Sequence, residues 1–380
     1  MKHIVKALLC LTICLLALSG CNAQKPNAAN SGNVGDTDEA IPDSSTDTSA
    51  NEESDEPSKE IPDSSIVEEN FTLESDGFKL NAVYTYINDG KPHPAVLLIA
   101  GSGPSDYNES VGVLKPFEDI AQGLAQNNIN SLRVDKRTFA YASEFDVKSG
   151  IAEEYLDDCN AAIEYLKSQN ISSLYLLGHS LGGLITAELA ASREDIDGII
   201  LFNSSARHLA DIACNQFSAL DSDNKTSYLE YAEAAKSATA SSAKGYWYYS
   251  ASDYYWATYN QLNVAESISE SNVKTLIINS RFDKQLFDAD IDMWKELFSD
   301  SENVTISVYD DISHFGYKID TSEPSAIYNA ADFPSEVISE FAEFINGREG
   351  GDGLAIITLD MSLYLNQGEE FAFIFAKLNC

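Results

Sequence analysis

Leu174-Tyr175-Leu176-Leu177-Gly178-His179-Ser180-Leu181-Gly182-Gly183-Leu184-Ile185-Thr186-Ala187-Glu188-Leu189-Ala190 is the stretch on which the reading of this chain turns. Its first four residues are a short apolar run of the kind that becomes a buried strand, and from Leu184 onward every residue suits a helix. Between them lies the pattern G-x-S-x-G. A strand, a sharp turn and a helix in that order lift the serine of the turn above the sheet edge, where its hydroxyl can act as a nucleophile. Such a turn strains its backbone, and Gly178 and Gly182, two residues either side of Ser180, leave the room it needs. Gly183 lets the new helix pack closely on neighbouring strands, and the helix N-terminus aims partial positive charge at the turn. The backbone N–H of Leu181 then becomes a candidate oxyanion donor. The plain alternative is a glycine-rich strand-to-helix turn with no chemistry attached.

Working outward, apolar and helical segments alternate. Residues 67–73 and 78–87 read as a hairpin about Asp76-Gly77. Strands are expected at 95–99, 129–134, 174–177, 198–202, 273–278 and 304–309, with helices at 117–127 and 149–168 and after the elbow. The strand at 95–99 is fully apolar, as buried parallel strands are, and apolar segments alternating with helices predict βαβ units: an α/β fold with a mostly parallel sheet, right-handed crossovers and helices on both faces. One such domain would occupy 66–347. The interval of about 204–272 is too long for a single crossover and should form a helical cap. It holds Tyr246-Trp247-Tyr248-Tyr249, Tyr254-Tyr255-Trp256 and Tyr259, which suit packing of the cap or the lining of an acyl or aryl pocket, or stacking on a sugar.

A serine hydroxyl is weak without a base, and the base needs an acid to orient it. With five histidines in the chain, elimination is possible. His3 lies in the leader, His93 precedes the first parallel strand, His179 is held in the elbow, and His208 comes before any suitable acid. In this arrangement the chain order is serine, acid, histidine. His314, in Asp311-Ile312-Ser313-His314-Phe315-Gly316, follows every candidate acid and sits just past a strand end. The acid is expected in the loop after Thr275-Leu276-Ile277-Ile278, which selects Asp283, with Asp288 as the alternative and a solvated turn aspartate as the structural one. A second oxyanion donor should come from Gly101-Ser102-Gly103-Pro104-Ser105-Asp106, after the strand ending at Ala100, and the Ser102 amide is the choice. The same turn has no lysine or glycine pattern of a nucleotide-phosphate loop.

The rest of the chain bounds location and partners. Lys2 and Lys6, the apolar run from Ala7 to Leu18, and Ser19-Gly20-Cys21 form a signal peptide at 1–20. Leu18-Ser19-Gly20-Cys21 resembles a bacterial lipobox, which implies cleavage before Cys21 and its lipidation; a plain secretory leader is the alternative. Residues 21–65 are Ser, Asp, Glu, Asn, Thr and Pro with few large apolar residues, the composition of an acidic tether that cannot offset its ordering entropy. Ile41-Pro42-Asp43-Ser44-Ser45 recurs in it as Ile61-Pro62-Asp63-Ser64-Ser65. The expected location is outside the cytoplasm, with the membrane touched through the lipid anchor alone. A formal net charge of −36 argues against nucleic acid and anionic headgroups as partners. The six cysteines give no disulfide framework and no metal-ligand spacing, and Cys159 reads as a small hydrophobe in a helix. No metal or organic cofactor is expected. Residues 348–380, with apolar stretches at 354–357 and 371–375, suggest no role, and the oligomeric state is not encoded in any feature of the sequence.

Taken in order, Ala100-Gly101-Ser102-Gly103-Pro104-Ser105-Asp106, Lys115-Pro116-Phe117-Glu118-Asp119-Ile120-Ala121, Arg133-Val134-Asp135-Lys136-Arg137-Thr138, Gly178-His179-Ser180-Leu181-Gly182-Gly183 and Ile312-Ser313-His314 resemble bacterial serine esterases of the α/β-hydrolase superfamily, in the branch related to dienelactone hydrolases and serine aminopeptidases. The similarity spans about 66–346. It implies the α/β-hydrolase fold with a helical cap, Ser180, Asp283 and His314 as triad, the Ser102 and Leu181 amides as oxyanion hole, and short acyl esters as small-molecule substrates. Two departures stand out: Asp106-Tyr107-Asn108 lacks the arginine usual in that loop, and Ser280 stands where a glycine is common. A peptidase or thioesterase with the same triad, and a non-enzymatic surface-binding protein that retains an unused triad, are the alternatives.

Overall fold

Asp76 and Gly77 both sit at positive φ, 47° and 83°, the backbone a tight two-residue hairpin turn requires. They join β1 (Ile66–Ser75) to β2 (Phe78–Ile87), which pair antiparallel. This is a computed structural model that describes residues 65–319 and 332–347. The expectations for the leader, Cys21, the acidic tether up to residue 64 and the segment 348–380 concern residues outside the described ones.

After the hairpin come β3 (His93–Ile99), β4 (Asn130–Val134), β5 (Ile171–His179) and β6 (Gly198–Phe202). A two-residue ribbon follows, β7 (Trp247–Tyr248) with β8 (Ala251–Ser252), then β9 (Lys274–Ser280) and β10 (Val304–Tyr309). Eight of these form one sheet in the order β1-β2-β4-β3-β5-β6-β9-β10. From β4 to β10 every pairing is parallel, and only the β1–β2 and β2–β4 pairs are antiparallel. Side chains alternate across a strand, and here both faces are covered. Val96, Leu98, Leu177, Ile200, Phe202 and Ile278 pack with Phe117, Ile120, Leu124, Val337 and Phe341 from helices Pro116–Gln126 and Ser335–Asn346. Leu97, Ile99, Leu176, Ile199, Leu201 and Ile277 face the other way, onto Ile163, Leu166, Ile185, Leu189 and Trp294. Burial on both faces is why these strands carry no polar alternation.

The segment expected as a helix at 149–168 is two pieces: a π-helical turn, Ala152–Leu156, and the α-helix Asp157–Lys167. The interval 204–272 holds helices Leu209–Leu220, Lys225–Lys236, Asp253–Tyr259 and Val264–Ser271. The last of these packs along helix Leu181–Ser192, where Ser267 Oγ donates to Glu188 Oε2 at 3.1 Å. Most aromatics of this insertion pack on one another: Trp256 is 1% exposed, bonds the Tyr248 carbonyl through Nε1 and is ringed by His208, Tyr249, Tyr255 and Tyr259. Tyr246 and Trp247 stay exposed.

Candidate active site

Strand β5 ends at His179, and the chain turns at once into helix Leu181–Ser192, leaving Ser180 at φ 53°, ψ −120°. That backbone costs a residue with a Cβ roughly 1–3 kcal/mol and persists only where its surroundings enforce it. The two flanking glycines show how. A Cβ on Gly178 would lie 2.1 Å from the carbonyl oxygen of Gly182, and one on Gly182 would lie 2.1 Å from that of Ile99. No other residue fits either position. The Ser180 N–H is held by the Phe202 carbonyl at 2.9 Å.

The other expected residues arrive at the same edge, because β3, β9 and β10 run parallel to β5 and each ends there, as in open α/β sheets generally. His314 and Asp283, both buried, are joined by Nδ1 and Oδ2 at 2.6 Å. The other carboxylate oxygen of Asp283 accepts from the backbone N–H groups of Gln285 and Leu286 at 2.6 and 3.0 Å. Asp288 goes elsewhere: it begins helix Asp288–Phe298 with its side chain 71% exposed, 3.5 Å from Arg281. The Gly101 turn crosses in front of the elbow, since a Cβ on Gly101 would come within 3.0 Å of the Ser180 Cβ. His208 lies in the insertion, where it caps helix Leu209–Leu220 and bonds Asn260 at 2.8 Å; burial holds its pKa down.

A buried network ties these pieces together, and most of it was not foreseen from sequence. His179 Nε2 faces the His314 carbonyl at 2.8 Å and Nδ1 faces Glu109 Oε1 at 2.8 Å. The same Glu109 oxygen accepts from the Gly101 N–H at 2.7 Å. Burial works against a charge on His179, but Glu109 and the His314 carbonyl outweigh it and hold its pKa above the ordinary value. Asn203, with φ 44° at the end of β6, donates from Nδ2 to the carbonyls of Ser313 and His314 at 3.1 and 2.8 Å. Ser280 Oγ donates to the Ile312 carbonyl at 2.6 Å and accepts from the Phe282 N–H at 3.1 Å, so the hydroxyl in place of a glycine stitches the Asp283 loop to the His314 loop. In the loop lacking the family arginine, Arg133 reaches Asn108 Oδ1 at 2.5 Å and Asp135 accepts from the Tyr107 N–H at 2.8 Å. Among the described residues no group of three His, Cys, Asp or Glu side chains could hold a metal ion.

The comparisons with known proteins bear on the family and the fold. Esterase EstD of Thermotoga maritima is 32% identical over 228 residues, 59% of this chain and 54% of that protein, so the chain spans about half the length of this curated relative. Among solved structures, the acylaminoacyl peptidase of Pyrococcus horikoshii superposes with a TM-score of 0.53 at 14% identity, covering 77% of this chain and 43% of that one. The 2,6-dihydroxy-pseudo-oxynicotine hydrolase gives 0.50 at 16% identity, covering 76% and 71%. At such identities these two speak for the fold, the α/β-hydrolase fold with its mostly parallel sheet. A family model described as serine aminopeptidase, S33, matches residues 107–296, half of the chain, including Ser180 and Asp283. Elbow, sheet order and family match point the same way: the chain belongs to the serine aminopeptidase S33 family of α/β-hydrolases.

Proposed function

We propose that this chain is a serine carboxylesterase acting on short-chain acyl esters through Ser180, His314 and Asp283. The observation that carries the reading is the buried His314–Asp283 pair, 2.6 Å apart, at the sheet edge where the elbow presents Ser180. With Nδ1–H committed to Asp283, the imidazole keeps its lone pair on Nε2 and can take the serine proton. Ser180 then attacks the ester carbonyl, the Ser102 and Leu181 amides bind the oxyanion, and collapse releases the alcohol with the proton returned by His314. Water repeats the sequence on the acyl-enzyme. Commitment of the Gly101 N–H to Glu109 favours Ser102 as the donor from that turn. The similarity to Esterase EstD supports an ester as the bond cleaved.

A peptidase reading of the same triad draws on the family description, serine aminopeptidase. Hydrolysis of a p-nitrophenyl ester chain-length series beside an aminoacyl-anilide separates the two: ester turnover supports the proposal, and anilide turnover alone assigns the chain to peptidases. From the leader and Leu18-Ser19-Gly20-Cys21 we propose further that the protein is exported and held at the membrane by lipid on Cys21. Metabolic labelling with a fatty-acid probe, lost in Cys21→Ala, is the expected result.

A further inference from the structure

Gly101 is pinned at both of its backbone polar atoms. Its N–H donates to Glu109, and its carbonyl oxygen accepts from Lys136 Nζ at 2.9 Å and from the Tyr155 hydroxyl at 2.5 Å. The Gly101 carbonyl and the Ser102 N–H are opposite ends of one planar trans peptide, so anchoring the first fixes where the second points. We propose that Lys136 and Tyr155, backed by Glu154, are positioning residues: a buried clamp that sets the Gly101–Ser102 peptide with its N–H toward the oxyanion and strengthens it as a donor. The proposal rests on the reading of Ser180 as nucleophile and of the Ser102 amide as oxyanion donor.

The clamp is assembled from two elements. Lys136 lies two residues past the end of β4, while Glu154 and Tyr155 are consecutive in the π-helical turn that replaces the start of an ordinary helix. Lys136 Nζ is 2.7 Å from Glu154 Oε1, 2.6 Å from the Tyr155 oxygen and 4.0 Å from the centre of the Tyr155 ring. All three residues are buried, at 7%, 6% and 2% exposure. A fully buried ion pair adds little stability over apolar residues of the same shape. Here Lys136 and Tyr155 converge on a single carbonyl, 3.0 Å or less from each donor, in the turn that faces Ser180, and Glu154 only neutralises the lysine. Donors on a peptide oxygen draw electron density toward it and polarise the N–H at the far end of the same unit. Glu109 braces the preceding peptide, so the turn is held on both sides before a substrate enters.

The test compares wild type with Tyr155→Phe, Lys136→Met/Glu154→Gln, which leaves no unpaired buried charge, and Ser180→Ala. Readouts are kcat and KM on p-nitrophenyl butyrate, the inhibition constant of an alkyl trifluoromethyl ketone, which forms an oxyanion adduct on the serine, and thermal melting. Deleting an oxyanion donor outright lowers kcat about 10²–10³-fold, so misdirecting one should cost the folded double variant about 10- to 100-fold in kcat, with KM nearly unchanged. Affinity for the ketone should fall by a matching factor, and Tyr155→Phe should follow in the same direction with a smaller loss. Should the double variant fail to fold, Tyr155→Phe decides alone. Unchanged kcat and ketone affinity in a folded variant, or a change confined to KM, overturns the clamp while leaving the esterase reading intact. Ester turnover absent from wild type, or retained in Ser180→Ala, overturns that reading and the clamp with it.

Discussion

His179, the residue before the elbow serine, holds the backbone of the histidine bonded to Asp283: its Nε2 donates to the His314 carbonyl at 2.8 Å. Its Nδ1 faces Glu109. Both ring nitrogens therefore address acceptors, an arrangement that suits the imidazolium and not the neutral ring. One buried ion pair joins the elbow, the His314 loop and, through the Gly101 N–H, the turn that faces Ser180.

That charge state has a pH signature. A histidine with a raised native pKa stabilises the fold in full below its unfolded value, about 6.5, and the contribution is lost as pH rises through the native value. Between those two points the native state binds more protons, so stability falls with pH. Imidazole NMR of His179 should show a pKa above the ordinary value, and His179→Gln should lack this part of the decline in melting temperature. A neutral His179 ring at pH 6 would contradict the assignment.

Asp283 and Asp288 separate the geometric choice of acid from its neighbour. Asp283→Asn should lower kcat by about 10⁴-fold, the scale seen when a triad acid is made neutral and the histidine tautomer reverses. Asp288→Asn, at an exposed helix start, should stay within about two-fold of wild type because surface changes of this kind shift free energies by only about 0.5 kcal/mol. Steady-state kinetics on a p-nitrophenyl ester check both.

Gly182→Ala places a methyl 2.1 Å from the Ile99 carbonyl oxygen. Backbone cannot yield there without parting β3 from the elbow, so the cost should exceed about 3 kcal/mol, beyond the usual range for a single substitution. Thermal melting should fall sharply or soluble protein should vanish. A variant that melts like wild type would show the elbow is looser than described.

Asn203→Ala removes the Nδ2 bonds to the Ser313 and His314 carbonyls, leaving His179 on the latter, without altering Ser180, Asp283 or His314 themselves. Loss of buried partners costs about 1–3 kcal/mol. Stability should drop by that amount by denaturant titration, with kcat reduced and KM little altered as His314 loses one of its two backbone anchors.

The chain declares its frame openly because strands buried on both faces favour continuous apolar runs, as in Val96–Leu98 and Ile199–Leu201, while β4 and β9 also bury polar residues such as Arg133 and Thr275. The elbow was equally legible: its glycines answer a steric demand that a few consecutive residues state by themselves. Asp283 and His314 followed from chain order and from which strand precedes each. What stayed hidden are contacts between residues far apart in sequence. Glu109 joins His179 across seventy positions, Asn203 sits in a left-handed backbone that only the packed sheet end imposes, and the π-helical turn that brings Glu154 and Tyr155 to Lys136 has no periodicity distinct from an ordinary helix. Ser280 was noticed as a departure, but its bond to the Ile312 carbonyl needed the neighbouring loop in place.

The most direct test is hydrolysis of the p-nitrophenyl ester series by wild type and Ser180→Ala side by side. The account predicts turnover of short-chain esters that disappears in the variant while its melting temperature is preserved. Ester hydrolysis undiminished in Ser180→Ala, or none in a folded wild-type protein, would contradict it.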